Sequence, residues 1–118
     1  MNVQQFCDDC ATAADAKVKG FDFAIFMPLV LQALVSFLSK CGDDDIVERI
    51  EKRDFWAQYA VRKSIKDTAR EEGIAIGRNL KATADVILDT AQQTGESGIK
   101  SLLAETRSNV PDFDAVWN

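Results

Sequence analysis

Three cysteines carry the most reactive side chains in this sequence. Cys7 and Cys10 form a Cys-x-x-Cys pair, and Cys41 stands apart. The pair encloses Asp8 and Asp9, and neighbouring carboxylates raise a thiol pKa, which disfavours a reactive redox pair. The favoured interpretation is that these thiols are small apolar residues on one face of a helix. Because an odd, small number of cysteines is no disulfide framework, we expect a reducing, intracellular compartment.

Histidine is missing from all 118 residues. This excludes histidine-based triads and histidine-ligated metal sites, and three cysteines cannot complete a four-ligand zinc site. A Ser–Lys dyad would need Ser64 to meet Lys63 or Lys66, which helical geometry places in different sectors. The glycine-rich phosphate-binding patterns are also missing. We therefore expect no catalytic residue, no cofactor and no metal site, and predict that the protein is not an enzyme.

One face of the third predicted helix has the character of a binding surface. Phe55, Tyr59, Arg62, Lys66 and Arg70 follow one another at steps of four, three, four and four residues. At about 100° per residue they fall in one sector, nearly opposite the apolar stripe of the same helix. Arginine and tyrosine are typical anchors of protein interfaces. We predict these five residues to be part of a protein–protein interface.

Three kinds of occupant fit this face to different degrees. A single-stranded nucleic acid could stack on the aromatic rings, but 14 Lys and Arg against 19 Asp and Glu give a net charge of -5, which argues against it. An acidic surface of another protein, including a second copy of this chain, matches the cations better. The second predicted helix or the C-terminal segment could also cover the aromatic rings within one chain.

Apolar periodicity predicts an all-α bundle of about five helices. The first covers residues 3–18 and the second 22–40, with Asp22 able to cap the second. The third begins at the acidic run Asp43–Asp45, a start signal rather than a metal site, and continues to about Glu72 as a long central helix. Gly73 and Gly77 leave open whether residues 43–93 form one kinked helix or two. Gly95 and Gly98 separate a short fifth helix that ends before residue 111.

Core positions of the third helix share a single stripe. They are Ile46, Val47, Ile50, Ala57, Val61, Ile65 and Thr68.

The second predicted helix is apolar on nearly every side. Phe23 to Ser39 are seventeen residues without a charge, a length at the bottom of the range for a membrane span. Pro28 and Gln32 lie within this stretch and favour a buried core or interface helix. A membrane span remains the alternative. The cover for this helix is expected from the other helices, from a lipid bilayer or from copies of the same chain.

The chain divides into a helical domain over residues 1–110 and a C-terminal docking arm over 111–118. The arm keeps Phe113, Val116 and Trp117 together among aspartates, so we expect it to be ordered and to hold either its own bundle or a neighbouring subunit. Phe113 and Trp117 therefore join the predicted interface. The first twenty residues show no secretory signal.

These features predict a non-enzymatic structural or adaptor subunit of a larger protein assembly. Protein partners are expected, as a homo-oligomer or a larger assembly, and a viral particle would be one such setting. The first alternative is a small membrane-associated protein anchored by residues 23–39. The second is an acidic regulator that inhibits a partner. The expected location is an intracellular, reducing compartment or the interior of an assembled particle.

Overall fold

The fold is taken from a computed structural model that describes residues 2–17, 22–38 and 41–108. The predicted all-α bundle is confirmed. The helices are α1 (Val3–Lys17), α2 (Phe23–Phe37), α3 (Asp43–Lys52), α4 (Phe55–Glu71) and α5 (Asn79–Ser108).

Four of the helices form a ring around one core. α1 packs on α2, α2 on α4, α4 on α5 and α5 on α1, so α1 and α4 lie diagonally opposite. The N–H of Val3 donates to the carboxylate of Glu105 at 3.1 Å, and Cys10 is hydrogen-bonded to Thr90, which makes α1 antiparallel to α5. α3 packs on α5 and α4, and in the chain it connects the end of α2 to the start of α4.

Most of the apolar second helix is covered within the chain. Its buried side chains face α1, α4 and α5, and they are Phe23, Phe26, Met27, Val30, Leu31, Leu34, Val35 and Leu38. Asp22 precedes α2 but its side chain makes no capping hydrogen bond, contrary to the prediction. No helix in the described parts of the chain is long and apolar enough to cross a membrane.

The prediction of a continuous helix from Asp43 to Glu72 is wrong. The helix ends at Lys52, because Arg53 takes a left-handed conformation with φ 49° and ψ 45°. Asp54 then caps a new helix by accepting the N–H of Ala57 at 2.8 Å. All seven predicted core positions of this region are nevertheless buried, since each shorter helix keeps its apolar stripe.

Glycine residues shape the remaining boundaries. Gly73 has φ 68° and closes α4, while Ile74 N–H donates to Ala69 O at 2.7 Å. Residues 43–93 therefore contain three helices rather than one or two. The predicted break between the fourth and fifth helices is confirmed at Gly95: its φ of 80° and ψ of 174° are not helical, so α5 consists of two helical segments that meet at a kink.

The α3 end of the bundle brings α1, α2, α4 and α5 together. A small apolar cavity of about 40 Å³ is lined there by Phe6 of α1, Leu38 of α2, Trp56 of α4 and Leu103 of α5, among others. The start of α4 and the last turns of α5 therefore belong to the same end of the molecule. The predicted arm at 111–118 lies outside the described residues.

Candidate functional site

The start of α4 positions the candidate site. Asp54 serves as N-cap, and its second carboxylate oxygen pairs with Arg49 at 3.2 Å, which ties the end of α3 to the start of α4. On the inner side of α4, Val61 and Ile65 are buried in the core. Because the inner side is fixed in this way, the opposite side of the helix has to face outward.

The outward side carries the five predicted residues Phe55, Tyr59, Arg62, Lys66 and Arg70, here named the α4 face. Phe55 is 83% exposed and Tyr59 50% exposed. Lys66 and Arg70 are exposed and Arg62 is half-buried. An isolated exposed aromatic residue is ordinary, but two rings one helical turn apart and adjoining three cations form a contiguous surface.

α2 covers part of the aromatic cluster. The Phe37 ring lies 6.2 Å from the ring of Trp56 and 6.2 Å from that of Tyr59, centroid to centroid. The Arg49 guanidinium lies over Trp56 at 4.5 Å from the ring centroid, a cation–π arrangement. Intrachain cover therefore accounts for Trp56 and for half of Tyr59, whereas Phe55 stays exposed.

A shallow cleft of about 370 Å³ runs along the α4 face. Its lining residues are Phe55, Gln58, Tyr59, Arg62, Lys63, Lys66 and Asp67. Three of these are cations and only one is a carboxylate, so the cleft is basic although the whole chain is acidic.

The carboxylate of the cleft already has partners. Asp67 accepts from Lys63 at 3.1 Å and from Arg70 at 3.4 Å. Arg62 donates to the side-chain oxygen of Gln58 at 3.4 Å, and neither Arg62 nor Lys66 forms an ion pair with another described residue. These two cations have the charge available for a carboxylate from elsewhere.

A second groove lies between α2 and α4. Leu29, Ala33 and Phe37 line it from α2, and Lys63 and Asp67 line it from α4. Ile25, one turn before Leu29, is 69% exposed. Sequence reasoning missed these α2 residues, because a helix that is apolar on nearly all sides gives no sign of which side faces outward.

The cysteine pair lies on the buried side of α1. Cys7 and Cys10 are both buried against the core, as predicted. Burial is the main cause that raises the pKa of Cys7 to about 11, with the charge of Asp8 second. Burial likewise raises the pKa of Cys10 to about 12, although a hydrogen bond with Thr90 acts in the opposite direction. Both thiols stay protonated at neutral pH, which is unsuited to redox exchange.

Other chemical candidates are unsupported by the geometry. Ser64 is 3% exposed and its hydroxyl donates to the carbonyl of Ala60 at 2.9 Å, while Lys63 pairs with Asp67. Within residues 2–17, 22–38 and 41–108, no three cysteine or carboxylate side chains converge to hold a metal ion. The predicted interface residues Phe113 and Trp117 lie outside the described residues.

Comparison of the chain with protein-family models, with curated proteins and with solved structures yields no match.

Proposed function

We propose that this protein is a non-enzymatic structural or adaptor subunit that joins a larger protein assembly through its α4 face. The observation that carries the proposal is the 83% exposure of Phe55 beside Tyr59 and a row of cations. Burying a phenylalanine side chain is worth about 1.5–3 kcal/mol, so covering this ring favours association. Aromatic residues and arginine are enriched at the centres of protein interfaces.

The neighbouring surface of α2 extends the contact area. A stable interface buries about 800 Å² on each partner, more than five side chains provide. Leu29 and Phe37 line the adjoining groove and are half-buried, and Ile25, one turn before Leu29, is exposed. Together, the α4 face and this groove provide a continuous surface with an apolar centre and a charged border.

Acidic residues supply the complementary surface on another copy. Asp8, Asp9, Asp44 and Asp45 are exposed. With a net charge of -5, most of the surface attracts the basic cleft of a second molecule. A homo-oligomer is therefore the simplest assembly that satisfies the α4 face.

Charge reversal tests this proposal. In Arg62→Glu/Lys66→Glu, the cleft becomes acidic, and we expect the molar mass from light scattering to fall to that of the 13.0 kDa monomer. Lys17→Glu/Lys81→Glu is the matched control, since both lysines are exposed on α1 and α5, and it should assemble like the wild type. Circular dichroism verifies that both variants remain helical. An unchanged mass for the α4 variant would contradict the proposal.

A further inference from the structure

We propose that the segment bound to the α4 face in the assembly is residues 109–118 of a second copy of the chain. This inference rests on the proposed function and names the partner at the same site. It joins two features of one sequence: a basic aromatic cleft whose Arg62 and Lys66 form no ion pair among the described residues, and an acidic aromatic segment that follows α5.

The chemistry of the segment complements the cleft. Its sequence, NVPDFDAVWN, contains Asp112 and Asp114 and no lysine or arginine. Those two carboxylates match Arg62 and Lys66, which form no ion pair within the described part of the chain. Phe113 and Trp117 provide apolar area for Phe55 and Tyr59, and aromatic pairs contribute about 0.5–1.5 kcal/mol beyond the area they bury.

Docking within the same chain is the alternative, since α5, which ends at Ser108, packs on α4. The last turns of α5 also lie beside the start of α1, where the N–H of Val3 donates to Glu105. Because the proposed function has the α4 face join an assembly, the segment that covers it is assigned to a second copy. Wild-type protein of monomeric mass would assign it to the same chain and overturn this inference.

The resulting contact is head-to-tail: each copy gives its segment to the next and accepts one on its α4 face, which generates a ring or a filament.

Charge exchange between two full-length variants tests this arrangement. The face variant is Arg62→Glu/Lys66→Glu, and the tail variant is Asp112→Lys/Asp114→Lys. We expect each alone to be monomeric by light scattering, because like charges meet at every contact. An equimolar mixture should regain the wild-type mass, since each segment then meets a face of opposite charge. A single chain that carries all four substitutions should also assemble.

The outcomes separate this inference from the proposed function. If the face variant dissociates and the tail variant does not, another segment binds the face: the inference is overturned and the proposed function stands. If neither variant changes the mass, both are contradicted. If wild-type chain is monomeric and its Arg62 and Lys66 bind a single-stranded oligonucleotide instead, the face belongs to nucleic acid and both are again overturned.

Discussion

Arg53 shows how one side chain decides where two helices divide. Its backbone is left-handed, with φ 49°, a conformation that costs a non-glycine residue roughly 1 kcal/mol or more. Its guanidinium compensates by pairing with Asp85 at 3.3 Å and with Asp89, both on α5. Charge-assisted contacts to two carboxylates therefore hold a corner that local sequence preference disfavours.

Two substitutions at Arg53 separate the cost of its left-handed backbone from the loss of its ion pairs. Both Arg53→Ala and Arg53→Gly lose the pairs with Asp85 and Asp89, but only glycine relieves the left-handed backbone. We expect both variants to be less stable than the wild type, with the glycine variant about 1 kcal/mol more stable than the alanine variant. Urea unfolding, at dilution where the chain is monomeric, measures this difference. Equal stability of the two variants would show that the corner is not left-handed in solution.

The buried thiols predict how stability depends on pH. Folding raises the pKa of Cys7 from 9.0 to about 11 and that of Cys10 from 9.0 to about 12. The contribution of the protonated thiols to folding stability is therefore complete below pH 9. It is lost as the pH rises toward the pKa values of the folded state, because the thiols of the unfolded chain ionise first. The free energy of unfolding should fall by up to about 1.4 kcal/mol per pH unit for each thiol.

The matched variant for this measurement is Cys7→Ala/Cys10→Ala, which cannot ionise at either position. Its unfolding free energy should decline less steeply above pH 9 than that of the wild type. Equal slopes for the two proteins would mean that the thiols are not protected by the folded state.

At the level of whole helices, periodicity predicted burial better than it predicted boundaries. The core stripe from Ile46 to Thr68 is buried as expected, because an apolar face has to be covered whichever way the helix is divided. The division at Arg53 depends on Asp85 and Asp89, more than thirty residues later in the chain. A local pattern contains no information about such a partner.

The candidate site was likewise predicted in part: its positions on α4 follow from the sequence, and its contacts with α2 do not. Spacing alone placed five residues on one face of α4, and Phe55 and Tyr59 are exposed there as that pattern required. The contribution of Phe37 could not be predicted, since its contact with Tyr59 follows from how α2 packs on α4. Whether Phe113 and Trp117 join the site stays a prediction.

Gly95 controls the direction of the last part of α5. Its φ of 80° and ψ of 174° lie in a region that only glycine adopts readily. Gly95→Ala should therefore reduce the unfolding free energy by about 1–3 kcal/mol, although no atom lies within 4 Å of the added methyl group. Ser97→Ala, an exposed neighbour, should change stability by less than about 0.5 kcal/mol. A neutral Gly95→Ala, measured by urea unfolding, would contradict the bend.

For the whole molecule, the distribution of charge sets the conditions for assembly. The basic cleft on α4 is an exception in a chain with net charge -5. Added salt shortens the screening length from about 30 Å at 0.01 M to about 3 Å at 1 M. We therefore expect the association constant, from sedimentation equilibrium, to fall as salt is raised. Association that strengthens with salt would indicate that the apolar groove, rather than Arg62 and Lys66, provides the contact.

The most direct test of the account places a photo-crosslinking phenylalanine analogue at position 55. The site tolerates it because the native ring is largely exposed in the single chain. After irradiation of the full-length protein, we predict a product of twice the 13.0 kDa chain mass, in which position 55 of one copy is joined to residues 109–118 of another. Irradiated protein that remains at the mass of one chain, at concentrations where the wild type is expected to assemble, would contradict the account.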